Sequence, residues 1–161
     1  CIRDRLEQSV TQGVVACQGG NMGGWSLYFD ESGFPTYLYN WFGHELTFLK
    51  GSTVLEPGKH ELTLLYKHDG GFGGGGAASL SVDGEIEANE KIPATVPVIY
   101  SMSGETFDVG RDTGSPVGPY PHNYQFNGHV IGVTLERLTD SSDTIKNAER
   151  QGRFKASLSS Q

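Results

Sequence analysis

The sequence predicts an all-β protein, an antiparallel β-sandwich. Three observations carry that expectation. Short segments with a two-residue apolar period recur at roughly the 8–12-residue spacing typical of sandwiches. Glycine is 23 of 161 residues, well above the usual ~7%, and it clusters in turns without a collagen-like period. No amphipathic helical stretch lies between the strand-like segments, as a βαβ fold would require.

Taken in order, residues 1–12, "CIRDRLEQSVTQ", are polar and form an N-terminal extension. From Gly13 the pattern changes. "GVVACQG" is an apolar run bounded by glycines and reads as a strand. In "GWSLYFD" the residues Trp25, Leu27 and Phe29 share one face, with Ser26 and Tyr28 on the other. "ESG" interrupts the run and "FPTYLYN" resumes it, which predicts a hairpin. "ELTFLK" follows the break at Gly43, and the Pro-Gly turn of "LEPGKH" leads into "HELTLLYKH".

"DGGFGGGG" is a glycine-rich connection in which Phe72 is expected to pack locally. Asp83-Gly84 predicts a tight hairpin turn. "IPATVPVI" (92–99) carries two prolines, so it reads as an edge or irregular segment. "ETFDVG" is a short strand, and "NYQFNGHVIGVTLERL" (123–138) a long or bent final one. From Thr139 the composition turns polar and more basic. The sequence reading therefore divides the chain into an extension (1–12), a sandwich (13–138) of about nine strands and a polar C-terminal tail (139–161).

Composition excludes several function classes. The net charge of -7 argues against nucleic acid, because phosphate binding needs a basic face. No apolar run approaches the ~18 residues of a membrane-crossing helix. The two cysteines, Cys1 and Cys17, form neither a disulfide framework nor a zinc pattern. A chain beginning at Cys rather than Met is expected to be a processed or excised piece.

The stretches "GVVACQGGNMGGWSLYFDESGFPTYLYNWFG", "LEPGKHELTLLYKHDGGFGGGGAASLSVDGE" and "IPATVPVIYSMSGETFDVGRDTGSPV" together resemble the C-terminal region of large bacterial arylsulfatases. The likeness spans residues 13–137. It implies a jelly-roll sandwich of the concanavalin/laminin-G type. It does not bring the sulfatase active site. That chemistry needs a Cys or Ser in a C/S-x-P-x-R motif, and neither Cys1 (before Ile2 and Arg3) nor Cys17 (before Gln18 and Gly19) fits. The resemblance therefore implies a non-catalytic accessory domain, part of or derived from an arylsulfatase; the alternatives are a freestanding carbohydrate-binding module and, least favoured, a small hydrolase with an unrecognised site. Its expected partners are a sulfatase catalytic domain, another protein chain or a glycan.

Candidate sites are few. In "FDVGRDTGSPV", Asp108 and Asp112 could hold loop backbone N–H groups or pair with Arg111, as Asx side chains do in turns. They could instead supply carboxylates to Ca²⁺, which takes six to eight oxygen ligands and often sits at the loop edge of laminin-G-like sandwiches. A catalytic acid pair is the weakest reading, since a four-residue loop spacing does not set two acids across a cleft. No catalytic residue is assigned. His60 and His68 lie about 26 Å apart along one strand at ~3.3 Å per residue, too far to share a metal. No G-x-S-x-G elbow is present, and no Lys-Ser/Thr follows Gly76 to make a phosphate loop. The aromatic residues Tyr28, Tyr37, Tyr39 and Trp41 are either core or a platform for sugar rings, with core the commoner fate of such stripes. Tyr28, opposite Trp25 in parity, is the one placed to line an outer face.

Overall fold

A computed structural model of the chain describes residues 10–97, 107–138 and 151–159. Those residues form β-strands and loops, with no helix among them. The strands are β1 (Gly13–Gly20), β2 (Gly23–Phe29), β3 (Pro35–Trp41), β4 (Glu45–Lys50), β5 (Lys59–His68), β6 (Gly74–Val82), β7 (Glu85–Ala94), β8 (Phe107–Val109), β9 (His129–Leu138) and β10 (Gln151–Ser159). They build two five-stranded sheets, ordered β4-β3-β2-β1-β8 and β7-β6-β5-β10-β9. Every ladder is antiparallel.

The two sheets close on one core. The first contributes Val15, Trp25, Leu27, Phe29, Tyr37, Tyr39 and Leu49; the second contributes Leu62, Leu64, Leu80, Ile92, Ala156 and Leu158. The period of "GWSLYFD" is thus realised, with Trp25, Leu27 and Phe29 turned inward. Burying a Leu or Phe side chain completely stabilises by about 1.5–3 kcal/mol, so this face drives the sandwich together. Edges are joined as well: Glu87 on β7 accepts hydrogen bonds at Oε2 from Ser52 N (2.8 Å) and Thr53 N (3.0 Å) in the connection after β4.

Turns follow local chemistry. Asp83 (φ 50) and Gly84 (φ 88) both take the left-handed backbone that a two-residue type I′ hairpin needs. The proline-bearing segment from Ile92 to Ala94 ends β7, an edge strand, where Pro93 breaks no interior ladder. Residues 98–106 lie outside the described residues, so the "ETFDVG" strand is seen only from Phe107.

Two expectations need correction. The polar tail is not wholly outside the sandwich: Gln151–Ser159 is β10, hydrogen-bonded between β5 and β9 near the middle of its sheet. Ala156 and Leu158 are fully buried while Lys155, Ser157 and Ser159 are half-buried, the alternation of a strand with one face on the core. Phe72 does not pack locally. Its glycine-rich connection holds it 85% exposed.

The outer face of the first sheet is covered rather than solvated over β1, β2 and β3. Residues 110–124 run across it. They are fixed by Asn40 Nδ2 donating to Val117 O (2.8 Å), Asn21 N donating to Ser115 Oγ (3.2 Å) and Val14 N donating to Tyr124 O (3.1 Å). A second, smaller core of Val14, Cys17, Tyr28, Leu38 and Val117 forms beneath this cover, with Tyr120 and Tyr124 packed against it. Because β2 has a core on each side, all seven of its residues are buried.

Candidate functional site

The covering segment brings together the aspartates read from "FDVGRDTGSPV". Asp108 on β8 stands directly across from Cys17 on β1. Asp108 Oδ2 accepts from Thr113 N (2.8 Å) and from the Thr113 hydroxyl. Asp112, only 1% exposed, accepts at Oδ2 from Val117 N (3.1 Å) and Tyr120 Oη (2.7 Å). Each carboxylate therefore receives a backbone N–H from five residues on, and together they set the path of the cover. This is the loop-acceptor role, with the partners now identified.

The same residues also form a candidate cation site. One donor atom from each of Cys17, Asp108 and Asp112 lies within 4.8 Å of the others. A thiol is a soft donor, and Ca²⁺ requires a shell of oxygens. The nearby carbonyls are already engaged: Gly110 O accepts from Phe126 N (2.9 Å), and Arg111 O faces Cys17 Sγ at 4.0 Å. Of the three donors only the two carboxylates are of the oxygen type that calcium takes, and both already accept hydrogen bonds within the loop. A catalytic carboxylate pair is excluded here, because Asp112 is buried away from any substrate.

Of the aromatic candidates, Tyr37 (5% exposed) and Tyr39 (3%) belong to the core between the sheets and offer no face to a ligand. Tyr39 Oη accepts from Val96 N at 2.7 Å, which satisfies its buried hydroxyl. Trp41 is half-buried against the same core and meets Phe42 edge-on. Tyr28 differs. It points to the outer side, as its parity predicts, and there it meets the cover.

Where the cover passes the β2–β3 hairpin it leaves a cleft of about 320 Å³, lined by Tyr28, Asp30, Glu31, Ser32, Pro119, Tyr120, Pro121 and Tyr124. The volume sits at the lower end of the ~300–1,000 Å³ range of ligand sites. Its aromatic wall is pre-assembled. Tyr28 and Tyr120 pack at 5.0 Å between ring centroids, and Tyr120 stacks on Tyr124 at 5.8 Å. Asp30 anchors the hairpin turn by accepting at Oδ1 from Ser32 N (2.9 Å) and Phe34 N (3.0 Å), while Lys50 Nζ meets its Oδ2 at 2.5 Å.

The titration behaviour of the cleft follows from this packing. Burial, with the charge of Asp30 second, pushes the Tyr28 phenol up to about 12. Burial also raises Tyr120, whose hydroxyl donates to the Asp112 carboxylate, and raises Tyr124, with Glu31 adding to the effect. For Asp30, burial works against ionisation, but the Lys50 ammonium and the turn N–H groups overcome it and hold the carboxyl below its ordinary value. At neutral pH the cleft therefore presents neutral phenols beside the ionised Asp30 carboxylate.

Sequence reasoning found Tyr28 and missed the rest of the wall. A signal was present in "PVGPYPHNY": tyrosines between prolines, in a segment with no strand period, are not needed by the main core. A second concavity of about 310 Å³ lies between β8 and β9, lined by Arg111, Gln125, Phe126 and His129 among others. It lacks a stacked aromatic wall. No protein-family model matches the chain, and neither a curated protein nor a solved structure matches it significantly.

Proposed function

We propose that the chain is a non-catalytic accessory domain, like the C-terminal jelly rolls of large bacterial arylsulfatases, that binds a glycan. The observation carrying this reading is a packed tyrosine cluster, half-buried Tyr120 and Tyr124 backed by the buried Tyr28, with Asp30, Glu31 and Ser32 at its rim. The half-buried Tyr120 and Tyr124 rings would offer apolar surface to the C–H face of a sugar ring, and the exposed Glu31 carboxylate and Ser32 hydroxyl would accept hydrogen bonds from its hydroxyls. No step of bond cleavage is assigned to the cleft, and the isolated chain is expected not to hydrolyse aryl sulfates.

A glycan array probed with the purified chain tests the reading. Retention of glycans by the wild type, lost in Tyr124→Leu with the melting temperature kept, supports it. Retention of none contradicts it. A second reading is docking on a catalytic domain. It is favoured by exposed apolar side chains at one corner of the first sheet: Leu46 and Phe48 on the outer side of β4, and Met22 and Phe42 in neighbouring turns. Loss of co-elution with a catalytic domain on Phe48→Glu would assign the chain to that role.

A further inference from the structure

We infer that the cleft selects an unsulfated sugar ring, favouring one that carries an amine, and rejects a sulfated ring; this rests on the glycan reading above. Among the described residues, every charged side chain lining the cleft is a carboxylate, Asp30 or Glu31, and no Lys or Arg lines it. The nearest ammonium whose position is fixed there, Lys50 Nζ, is held against Asp30 Oδ2 and lies 4.9 Å from the centre of the Phe34 ring. It is spent on the turn.

The backbone N–H groups of the turn are spent as well. Ser32 N and Phe34 N donate to Asp30 Oδ1, and Gly33 N donates to Asp30 O (2.9 Å), so they form no cradle for an anion. The Tyr120 hydroxyl donates inward to Asp112 and is also withdrawn. The turn N–H groups and Lys50 occupy both Asp30 oxygens, so what remains at the rim is the exposed Glu31 carboxylate with the Ser32 hydroxyl.

A sulfate ester brings a full negative charge and only acceptor oxygens. Set beside Glu31 it would meet a like charge, with only neutral Ser32 and tyrosine hydroxyls as donors and no cation among the described lining residues to balance it. Like-charge juxtaposition weakens binding and selects against the wrong partner. A sugar hydroxyl or ammonium brings donors, which the rim accepts. An ammonium over a tyrosine face also gains from the ring quadrupole. In a domain attached to a sulfatase, such a cleft would hold the part of the glycan that bears no sulfate.

The test uses the whole chain and three probes: glucosamine, glucose and glucosamine 6-sulfate, each titrated calorimetrically at a pH where the amine is charged. The expected order is glucosamine tightest, glucose next, and the sulfate at least about tenfold weaker than glucosamine, a difference of ~1.4 kcal/mol. Glu31 is exposed, so Glu31→Lys is expected to leave the melting temperature in place and to narrow or invert the preference against sulfate. Binding of the sulfated sugar as tight as that of glucosamine, or a preference unaltered by Glu31→Lys, overturns the inference while leaving a glycan role intact. If Arg111→Ala removes sulfated-sugar binding and Tyr124→Leu does not, the ligand belongs in the β8–β9 concavity and the inference is wrong. Failure of all three probes to bind, with an array blank for every glycan, overturns the glycan reading itself.

Discussion

Asp112 carries more of the fold than its exposed-looking sequence context suggests. With 1% exposure, it accepts from Val117 N and Tyr120 Oη. Removing the acceptor leaves two donors short of a partner, so Asp112→Ala is expected to cost about 1–3 kcal/mol, whereas Asp112→Asn keeps an acceptor oxygen and costs less. Thermal melts compare the two. Because the nearest third donor is the Cys17 thiol, calcium and a chelator are expected to leave the melt unmoved. A rise growing as RT ln(1 + [L]/Kd) would restore the metal reading.

His60 supplies the pH dependence. Its Nδ1 meets Asp83 Oδ2 at 2.7 Å and its Nε2 meets Glu56 O at 2.8 Å, so both ring nitrogens face acceptors and only the charged ring donates to both. Burial opposes the charge, but the Asp83 and Glu56 contacts outweigh it and raise the His60 pKa; Asp83 is lowered in turn, despite its own burial. The His60 contribution is full below the ordinary histidine pKa of about 6.5 and is lost as pH rises through the raised value; that of Asp83 is present above its ordinary value and is lost in acid. Melting temperature is therefore expected to fall as pH rises from about 6 to 8. Asp83→Asn, which tolerates the positive φ at that turn, is expected to flatten the slope. A slope unchanged by the substitution would remove the pair from the account. The Asx chemistry of the aspartates was legible in sequence, as was the outward parity of Tyr28. The His60–Asp83 pair was not, because 23 residues separate them and only the β5–β6 register brings them together.

Elements were read best where one face met water and the other met the core. The hairpin at Asp83-Gly84, the β2–β3 hairpin and the proline-bearing edge of β7 follow from turn chemistry and the two-residue period. β10 was missed because its inward positions in "KASLS" are only Ala156 and Leu158, set among serines and a lysine that lower its apolar content. Its importance is testable. Leu158 is fully buried in the core, and Leu158→Ala is expected to cost about 2–5 kcal/mol in denaturant unfolding. A cost near zero would remove β10 from the sandwich. The cover was also hidden, since its contacts join Asn40 and Leu38 to residues nearly eighty positions away. A Cβ on Gly118 would lie 2.0 Å from Leu38 Cδ2, within a side chain that has no exposed surface. Gly118→Ala is therefore expected to lift the cover, lowering stability by about 1–3 kcal/mol and weakening any ligand held at the cleft.

At the scale of the molecule, two sheets share one core and the outer face of one sheet carries a second, thinner core under residues 110–124. The sandwich was legible because alternation and turn spacing are local properties. The binding cleft was not, since it exists only where the cover crosses the β2–β3 hairpin, and Tyr28 meets Tyr120 and Tyr124 by tertiary packing alone. The central claim, that this crossing is where a glycan binds, is tested most directly by an amide NMR titration of the chain with glucosamine. The account predicts shifts concentrated at Tyr28–Gly33 and at Tyr120–Tyr124, with β4 and the β8–β9 concavity quiet. Shifts centred on Arg111 and His129, or on Leu46 and Phe48, or none at any saturating concentration, would contradict it.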